Sequence, residues 1–283
     1  MKYFSGPRIL GFFLNRLAVV APRQAGKLSF YLLGLPRRKK TKRSEKKFLA
    51  GARLHFEDIH GRKIAVYRWG DCGPAVMLAH GWESQSGRWR KIAPALVRAG
   101  FQVIAVDAPA HGRSGGRHFT MLRYAEVLRT LLQRYGPIDA MIGHSVGGAA
   151  SIWAAGGVDP ALHPKRAVIL AAFSSMEYVM DNARRLIGAS DTLMNALDDY
   201  VEQATGARIP HYSLVRIVEK LGDVQALLVH DRHDRVTAFH QSEQLAAAWP
   251  GVRLLATDGY GHGLTAPAVL DSVLAFVQEK PVC

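Results

Sequence analysis

Six short runs that are apolar on both faces recur along this chain, and helical patterns separate them. The runs are PAVMLAH, FQVIAVDA, IDAMIG, RAVILAAF, VQALLVH and VRLLATD. A strand that is apolar on both faces is buried on both sides, as in a parallel sheet covered by helices. The helical stretches lie near 88–99, 120–135, 146–156, 238–249 and 266–279. This alternation predicts an α/β fold with right-handed crossovers.

Two further features set the expected domain boundaries. The segment RLHFEDIHGRKIAVYRW has the pattern of a hairpin that turns at His60 and Gly61. After Phe173, about fifty residues with helical patterns of their own precede Val224, although a crossover needs far fewer. An insertion that leaves the carboxyl end of a strand is well placed to form a lid. We therefore predict one α/β domain over residues 51–283, with a helical cap inserted at about 174–222.

Positive charge is concentrated at the amino end. The formal net charge is +14, but residues 1–50 hold thirteen basic residues and one acidic residue, whereas residues 51–283 hold 24 and 22. The body of the chain therefore lacks the electrostatic footprint of a nucleic-acid-binding protein. Apolar residues at helical spacing precede the basic cluster: Ile9, Leu10, Phe13, Leu14 and Leu17. We predict that residues 1–50 form a basic amphipathic extension.

Two interpretations of this extension remain open. An amphipathic helix followed by a basic cluster is typical of a segment that contacts an anionic membrane surface, here through residues 1–47. The same pattern is typical of a helix packed on the body and followed by a solvated linker. No apolar run reaches the about 18 residues that span a bilayer. Asn15 and Arg16 interrupt the amino-terminal apolar stretch, which argues against a signal peptide.

Cysteine usage favours a reducing compartment. The two cysteines, Cys72 and Cys283, are too few for a disulfide framework and have no zinc-site spacing. We therefore expect a cytoplasmic protein, and the amino-terminal extension is the candidate segment for any membrane contact. The sequence does not indicate an oligomeric state.

The sequence GHSVG places Ser145 between Gly143 and Gly147, directly after one apolar run and before a helical stretch. A serine at such a sharp strand-to-helix turn exposes its hydroxyl, and glycines relieve the crowding around it. This context predicts that Ser145 is a nucleophile. A plain turn between a strand and a helix is the structural alternative.

A serine hydroxyl needs a base, and the base needs an anion to orient it. His262 follows the last predicted strand in the glycine-rich loop GYGHGLTA, so we expect it to be the base. The loop HDRHDRVT offers Asp231 and Asp234, and Asp234 is favoured because it lies farther beyond the strand. The alternative is a metal site built from His230, Asp231, His233 and Asp234, although their spacing fits no standard motif.

With these residues assigned, the sequence from about 53 to 280 resembles the α/β-hydrolase family. The resemblance implies Ser145 as nucleophile, Asp234 after the seventh strand and His262 after the eighth. It implies that the amides of Trp82 and Val146 form an oxyanion hole, and that His80, Gly81 and His144 lie beside the substrate. Asp107, in DAPAHGRSGG, is expected to be structural because Ser145 already occupies the nucleophile position.

The expected function is hydrolysis of a small carboxylic ester or thioester through an acyl-enzyme, with no metal or organic cofactor. Two alternatives remain: a membrane-peripheral lipase or thioesterase that acts on acyl chains, and a hydrolase-fold protein that only binds its ligand. A serine at the strand-to-helix turn argues against dehalogenases and most epoxide hydrolases, because those members of the family place an aspartate at this position. The insertion tyrosines Tyr178, Tyr200 and Tyr212 are expected to be packing residues rather than epoxide-polarising groups.

Overall fold

An eight-stranded sheet organises the computed structural model, which describes residues 6–37 and 39–279. Its order is β1-β2-β4-β3-β5-β6-β7-β8. The pairs β1–β2 and β2–β4 are antiparallel, and the other five pairs are parallel. The strands are β1 (Arg53–Ile59), β2 (Arg62–Trp69), β3 (Ala75–Ala79), β4 (Gln102–Val106), β5 (Ile138–His144), β6 (Arg166–Leu170), β7 (Gln225–Asp231) and β8 (Arg253–Thr257). The six apolar runs are β3 to β8, so the predicted α/β fold is confirmed.

The predicted hairpin is also confirmed. Strands β1 and β2 pair from Arg53 opposite Arg68 to Ile59 opposite Arg62. Between them His60 and Gly61 both have positive φ, at 52° and 70°. A two-residue hairpin turn of this kind requires positive φ at both positions, which glycine adopts without strain.

Eleven helices accompany the sheet over the described residues. They are α1 (Gly6–Val20), α2 (Pro22–Leu33), α3 (Arg43–Ala50), α4 (Ala93–Arg98), α5 (Met121–Tyr135), α6 (Val146–Ala155), α7 (Met176–Ile187), α8 (Asp191–Thr205), α9 (Val215–Val218), α10 (His240–Ala248) and α11 (Pro267–Gln278). Short 3₁₀ turns occur at Ser86–Arg90, Pro160–Leu162 and Ile209–His211. None of these helices has the length and hydrophobicity needed to cross a membrane.

The chain divides into two compact units, and the larger one contains the sheet. It comprises Pro36–Ser174 and the chain from Leu214 onward. Its core is made of the apolar strand residues together with side chains from the covering helices, such as Leu96, Val273 and Phe276. All seven residues of β5 are buried. Removal of this much apolar surface from water is the main free-energy source that holds the sheet unit together.

The smaller unit comprises the chain up to Leu35 and Ser175–Ser213. Helices α1 and α2 approach the inserted helices closely at two glycines. A Cβ on Gly11 would lie 1.9 Å from the carbonyl oxygen of Ile187, and a Cβ on Gly26 would lie 2.0 Å from that of Ala196. Asn15 accepts from the amide of Ser190 and donates to the carbonyl of Gly188, so it holds the α7–α8 turn. The amino-terminal helices thus pack with the inserted ones, whereas residues 36–50 belong to the sheet unit. The role of the insertion as a cap stays a prediction.

The strand order reverses at β3, which has β4 on one side and β5 on the other. The connections that leave the carboxyl ends of β3 and β5 therefore run in opposite directions and open a crevice between them. Ligands bind in such crevices in open α/β sheets. The GHSVG sequence lies at the end of β5, on one side of this crevice.

Candidate active site

Ser145 occupies a strained turn between β5 and α6, with φ 53° and ψ −126°. This conformation is rare for a residue with a side chain and costs on the order of 1–3 kcal/mol. The amide of Ser145 donates to the carbonyl oxygen of Leu170 at 2.8 Å, and its carbonyl oxygen accepts from Ala149. These bonds to β6 and α6 hold the strained residue in place, and the side chain remains partly exposed.

The two glycines around Ser145 are required by close backbone contacts. A Cβ on Gly147 would lie 2.3 Å from the carbonyl oxygens of both Ala79 and His80. A Cβ on Gly143 would lie 2.5 Å from the Cα of Gly148. Any side chain at these positions would therefore push α6 away from the ends of β3 and β5.

His262 and Asp234 form a hydrogen-bonded pair. Nδ1 of His262 donates to Oδ2 of Asp234 at 2.8 Å. Since an ionised carboxylate only accepts, Nδ1 carries a proton, and in the neutral form of this imidazole the lone pair is therefore on Nε2. The Asp234 side chain is fully buried, whereas the His262 side chain is 20% exposed. The pair thus consists of a buried carboxylate and an imidazole that solvent can reach.

Several donors hold the Asp234 carboxylate. Oδ1 accepts from the amides of Val236 at 2.7 Å and Thr237 at 3.1 Å, and Nε2 of His230 lies 3.3 Å from Oδ2. Burial alone would raise the pKa of Asp234, but the hydrogen bonds from His230, His262 and Val236 outweigh it and hold that pKa well below its usual range. The carboxylate is therefore ionised at neutral pH.

Asp231 has a different role from Asp234. Its carboxylate accepts from the amide of His233, the hydroxyl of Thr257 and the amide of Tyr260. These bonds join the loop after β7 to the loop after β8. Asp231 thus braces the loop that carries His262, while Asp234 contacts the imidazole, in the arrangement that the sequence favoured.

The loop around His262 is held from two sides. Nε2 of His144, the residue before Ser145, lies 2.8 Å from the backbone carbonyl oxygen of His262, to which it donates. From the other side Arg88 donates to the carbonyl of Gly263, and Lys91 donates to that of Thr265, each at 2.9 Å. The imidazole loop is therefore fastened directly beside the end of β5.

The loop after β3 reaches the same place. A Cβ on Gly81 would lie 3.1 Å from Cβ of Ser145, so the backbone of the loop after β3 is in close contact with the turn at Ser145. The amide of Val146 begins α6, where helix amides have no partner within the helix. Over residues 6–37 and 39–279, no protein oxygen accepts from the amide of Trp82. The amide of Val146, directly after Ser145, and that of Trp82, directly after Gly81, thus have no protein acceptor in the described chain.

The loop after β4 supports the loop after β3. Nε2 of His80 accepts from the amide of Ala108, and Nδ1 donates to the carbonyl of Gly81. Asp107 accepts from both the amide and the hydroxyl of Ser86 at 2.7 Å. Asp107 is fully buried at this loop junction, which matches the structural role expected for it.

The expected substrate contacts of His80 and His144 need correction. His80 is fully buried and both its ring nitrogens bond to backbone groups. His144 is 6% exposed and its Nε2 is committed to the carbonyl of His262. These imidazoles therefore position the loops around Ser145. Gly81 is also buried, and its lack of a side chain permits the close approach of its loop to the turn at Ser145.

We predict a pH-dependent loss of stability through His80. Burial lowers the pKa of His80 to about 3, below the about 6.5 of an unfolded chain. Its contribution to stability is therefore complete above pH about 6.5 and decreases by about 1.4 kcal/mol for each unit as the pH falls towards 3. Urea unfolding at several pH values should show a steeper decline for the wild type than for His80→Gln. Parallel curves for the two proteins would contradict this assignment.

The alternative metal ligands have other partners. His230 bonds to the hydroxyl of Ser242 and the carbonyl of Thr237, and His233 lies 3.5 Å from Asp258. In the part of the chain that the structure describes, no group of three or more His, Cys, Asp or Glu side chains is arranged to hold a metal ion. Of the four candidate ligands, His230 and Asp234 contact each other, whereas Asp231 binds Thr257 and His233 lies beside Asp258.

Three residues that support the site were not assigned this role from sequence. Arg88 and Lys91 anchor the His262 loop, but no motif links a 3₁₀ turn after β3 to a loop some 170 residues later. His230 contacts Asp234 from the end of β7, and its position four residues before Asp234 was the available signal. Such contacts depend on which loops meet at one edge of the sheet.

Comparisons with known proteins agree with this fold. The family model described as alpha/beta hydrolase fold matches residues 74–191. Among solved structures, Est1E from Butyrivibrio proteoclasticus, determined with bound ferulic acid, superposes with a TM-score of 0.63 at 20% identity, over 79% of this chain and 96% of that one. This chain has the α/β-hydrolase fold.

Curated relatives of this α/β-hydrolase-fold protein match over shorter stretches. Bifunctional epoxide hydrolase 2 of Rattus norvegicus is 31% identical over 131 residues, 44% of this chain and 21% of that protein. Epoxide hydrolase A of Mycobacterium tuberculosis is 34% identical over 123 residues, 41% of this chain and 37% of that protein. The matches thus span well under two thirds of these relatives. The family-model match ends before Asp234 and His262, so the geometry alone relates these two residues to Ser145.

Proposed function

We propose that this protein hydrolyses carboxylic esters or thioesters through an acyl-enzyme on Ser145. The observation that carries the proposal is the 2.8 Å bond from His262 Nδ1 to the Asp234 carboxylate, in a loop fastened to the residue before Ser145. A partly exposed serine, an imidazole and a buried carboxylate are the three groups that nucleophilic acyl transfer needs. The amides of Val146 and Trp82, which have no protein acceptor in the described chain, would complete the set.

In the proposed reaction, Nε2 of His262 takes the hydroxyl proton of Ser145 as its oxygen attacks the carbonyl carbon. The amides of Trp82 and Val146 stabilise the resulting oxyanion, each by on the order of 3 kcal/mol. His262 then gives the proton to the departing alcohol or thiol, which leaves an acyl-Ser145 ester. Water, deprotonated by the same imidazole, hydrolyses that ester and restores the serine.

Epoxide hydrolysis, suggested by the names of the curated relatives, fits this site poorly. A carboxylate that opens an epoxide forms an ester, which water can cleave. The Ser145 hydroxyl would instead form an ether, which has no carbonyl for water to attack, and the enzyme would stop after one turnover. Among the insertion tyrosines, Tyr212 is buried and its hydroxyl bonds to Thr205, and the Tyr200 ring packs 5.3 Å from that of Phe30.

A purely ligand-binding protein would have no need of the strained Ser145 or of the ionised Asp234 beneath His262. Backbone strain and a buried charge both cost stability, and such costs cluster at functional sites. These two features favour catalysis over binding alone.

Labelling with a fluorophosphonate probe tests the proposal directly. We expect one covalent adduct per chain in the wild type and no adduct in Ser145→Ala, because the probe reacts with an activated serine oxygen. A panel of aryl esters and acyl thioesters of increasing chain length then separates the two substrate classes. Labelling that persists in Ser145→Ala, or hydrolysis by Ser145→Ala at close to the wild-type rate, would refute a nucleophilic role for this serine.

A further inference from the structure

We infer that the outer face of helix α1, with the cations of α1 and α2, docks on the surface of an anionic phospholipid bilayer. This inference concerns the smaller unit and does not depend on the chemistry proposed for Ser145. It is carried by the distribution of exposed apolar side chains, by the charge of the same helices and by the geometry of the α1 faces.

Helix α1 is apolar on two opposite faces, and the protein uses only one of them. Gly11, Leu14 and Ala18 follow one face and are buried against the other helices of the unit. The opposite face contains Ile9, Phe12, Phe13, Val19 and Val20, with exposed fractions of 46%, 52%, 65%, 73% and 80%. Positions 9, 12, 13 and 20 follow the spacing of one helical stripe, which also includes Arg16. The smaller unit therefore leaves this stripe largely open to solvent.

The exposed apolar side chains are concentrated on these two helices. Thirteen large hydrophobic residues are exposed in the described chain, and nine of them lie on α1 or α2. Single exposed apolar residues are ordinary on a soluble surface, but a contiguous group marks an interaction site. Besides the five α1 residues named above, the exposed hydrophobic residues on these two helices are Leu10, Leu28, Tyr31 and Leu33.

The charge on the same two helices has one sign. Residues Gly6–Leu33 contain Arg8, Arg16, Arg23 and Lys27, all exposed, and no acidic residue. The guanidinium of Arg16 lies 5.4 Å from the centre of the exposed Phe12 ring, so a cation and an apolar group share one patch. Apolar side chains on a helix with arginine and lysine are the pattern of an interfacial helix on anionic lipid.

The structure favours a bilayer surface over the other occupants of such a patch. A spanning helix is excluded for the described residues by their length and hydrophobicity, so contact has to be lateral. A second copy of this chain would bring like charges together, since both copies would present four cations and no acid on these helices. An anionic membrane offers both hydrocarbon for the phenyl rings and negative headgroups for the arginines.

Sedimentation with phospholipid vesicles tests the inference. We expect the full chain to bind vesicles with about 30 mol% phosphatidylserine at least about tenfold more tightly than vesicles of phosphatidylcholine alone. Raising the salt from about 0.1 to 0.5 M should weaken that binding, because the surface potential is screened. Phe12→Ser with Phe13→Ser should weaken binding to anionic vesicles by about tenfold or more, and Arg16→Gln with Arg23→Gln should have a similar effect.

The matched control removes two charges from exposed residues of the other unit. Arg216→Gln with Lys220→Gln changes the net charge equally, and we expect it to alter vesicle binding by less than about twofold. Circular dichroism and thermal unfolding establish that each variant folds, as its substituted side chains are exposed. Vesicle binding that is absent, or equal in all variants, would overturn the inference. A dimer that the phenylalanine pair dissociates, without vesicle binding, would identify a second copy as the occupant and also overturn it.

Discussion

Ser145→Ala is expected to lower kcat for aryl ester hydrolysis by on the order of 10⁵-fold. Without the hydroxyl no acyl-enzyme forms, and His262 can only activate water that is not positioned by a covalent intermediate. The oxyanion donors survive the substitution, since both are backbone amides, so a small residual rate above that of water should remain. Initial rates of p-nitrophenyl ester hydrolysis, compared between Ser145→Ala and the wild type, measure this loss in kcat.

A matched serine is available on the same helix. Ser151 is buried in α6, and its hydroxyl donates to the carbonyl of Gly147. Ser151→Ala removes the same atom six positions away, and we expect its kcat to stay within about threefold of the wild type. Equal losses in Ser145→Ala and Ser151→Ala would indicate damage to α6 rather than loss of a nucleophile.

Asp234→Asn is expected to lower kcat by on the order of 10⁴-fold. The amide oxygen of the asparagine would stay with the amides of Val236 and Thr237, as Oδ1 does now. Its NH₂ group would then face Nδ1 of His262, where Oδ2 lies at 2.8 Å. Two donors cannot face each other, so the imidazole proton would move to Nε2. That tautomer cannot accept the proton of Ser145.

Asp231→Asn is the control for this prediction, because it changes the same atoms three residues away. Asp231 braces the backbone of the His262 loop through Tyr260 but does not bond to the imidazole. We expect a lower Tm and a loss in kcat of about tenfold or less. If both variants lost activity equally, displacement of the loop would explain the result better than the tautomer of His262.

Local sequence patterns predicted the sheet well because each strand carries its own signal. Runs such as VQALLVH are apolar on both faces, and burial on both sides follows from that composition without knowledge of the neighbours. The turn at Ser145 was equally local, since Gly143 and Gly147 lie within its own five residues. The preference for Asp234 over Asp231 came from its position beyond the strand, and the structure pairs Asp234 with His262.

The roles of the histidines were harder to assign from sequence. His80 and His144 lie in the segments where the family resemblance places substrate contacts, but the fold buries both and uses their nitrogens for backbone groups. A histidine can donate, accept or titrate, and the neighbouring loops decide which of these it does. Those loops are distant in sequence: His144 meets His262 across 118 positions.

The sequence by itself determined the strands, the helices and the serine turn, because hydrophobic period and glycine placement act over a few residues. Only the tertiary structure decided that the amino-terminal helices pack with the inserted ones, since α1 is apolar on both faces and its sequence does not say which face is buried. It also decided which cations anchor the His262 loop and which backbone groups bind His80 and His144. Those contacts form between loops at one sheet edge, and their geometry follows from strand order rather than from any local pattern.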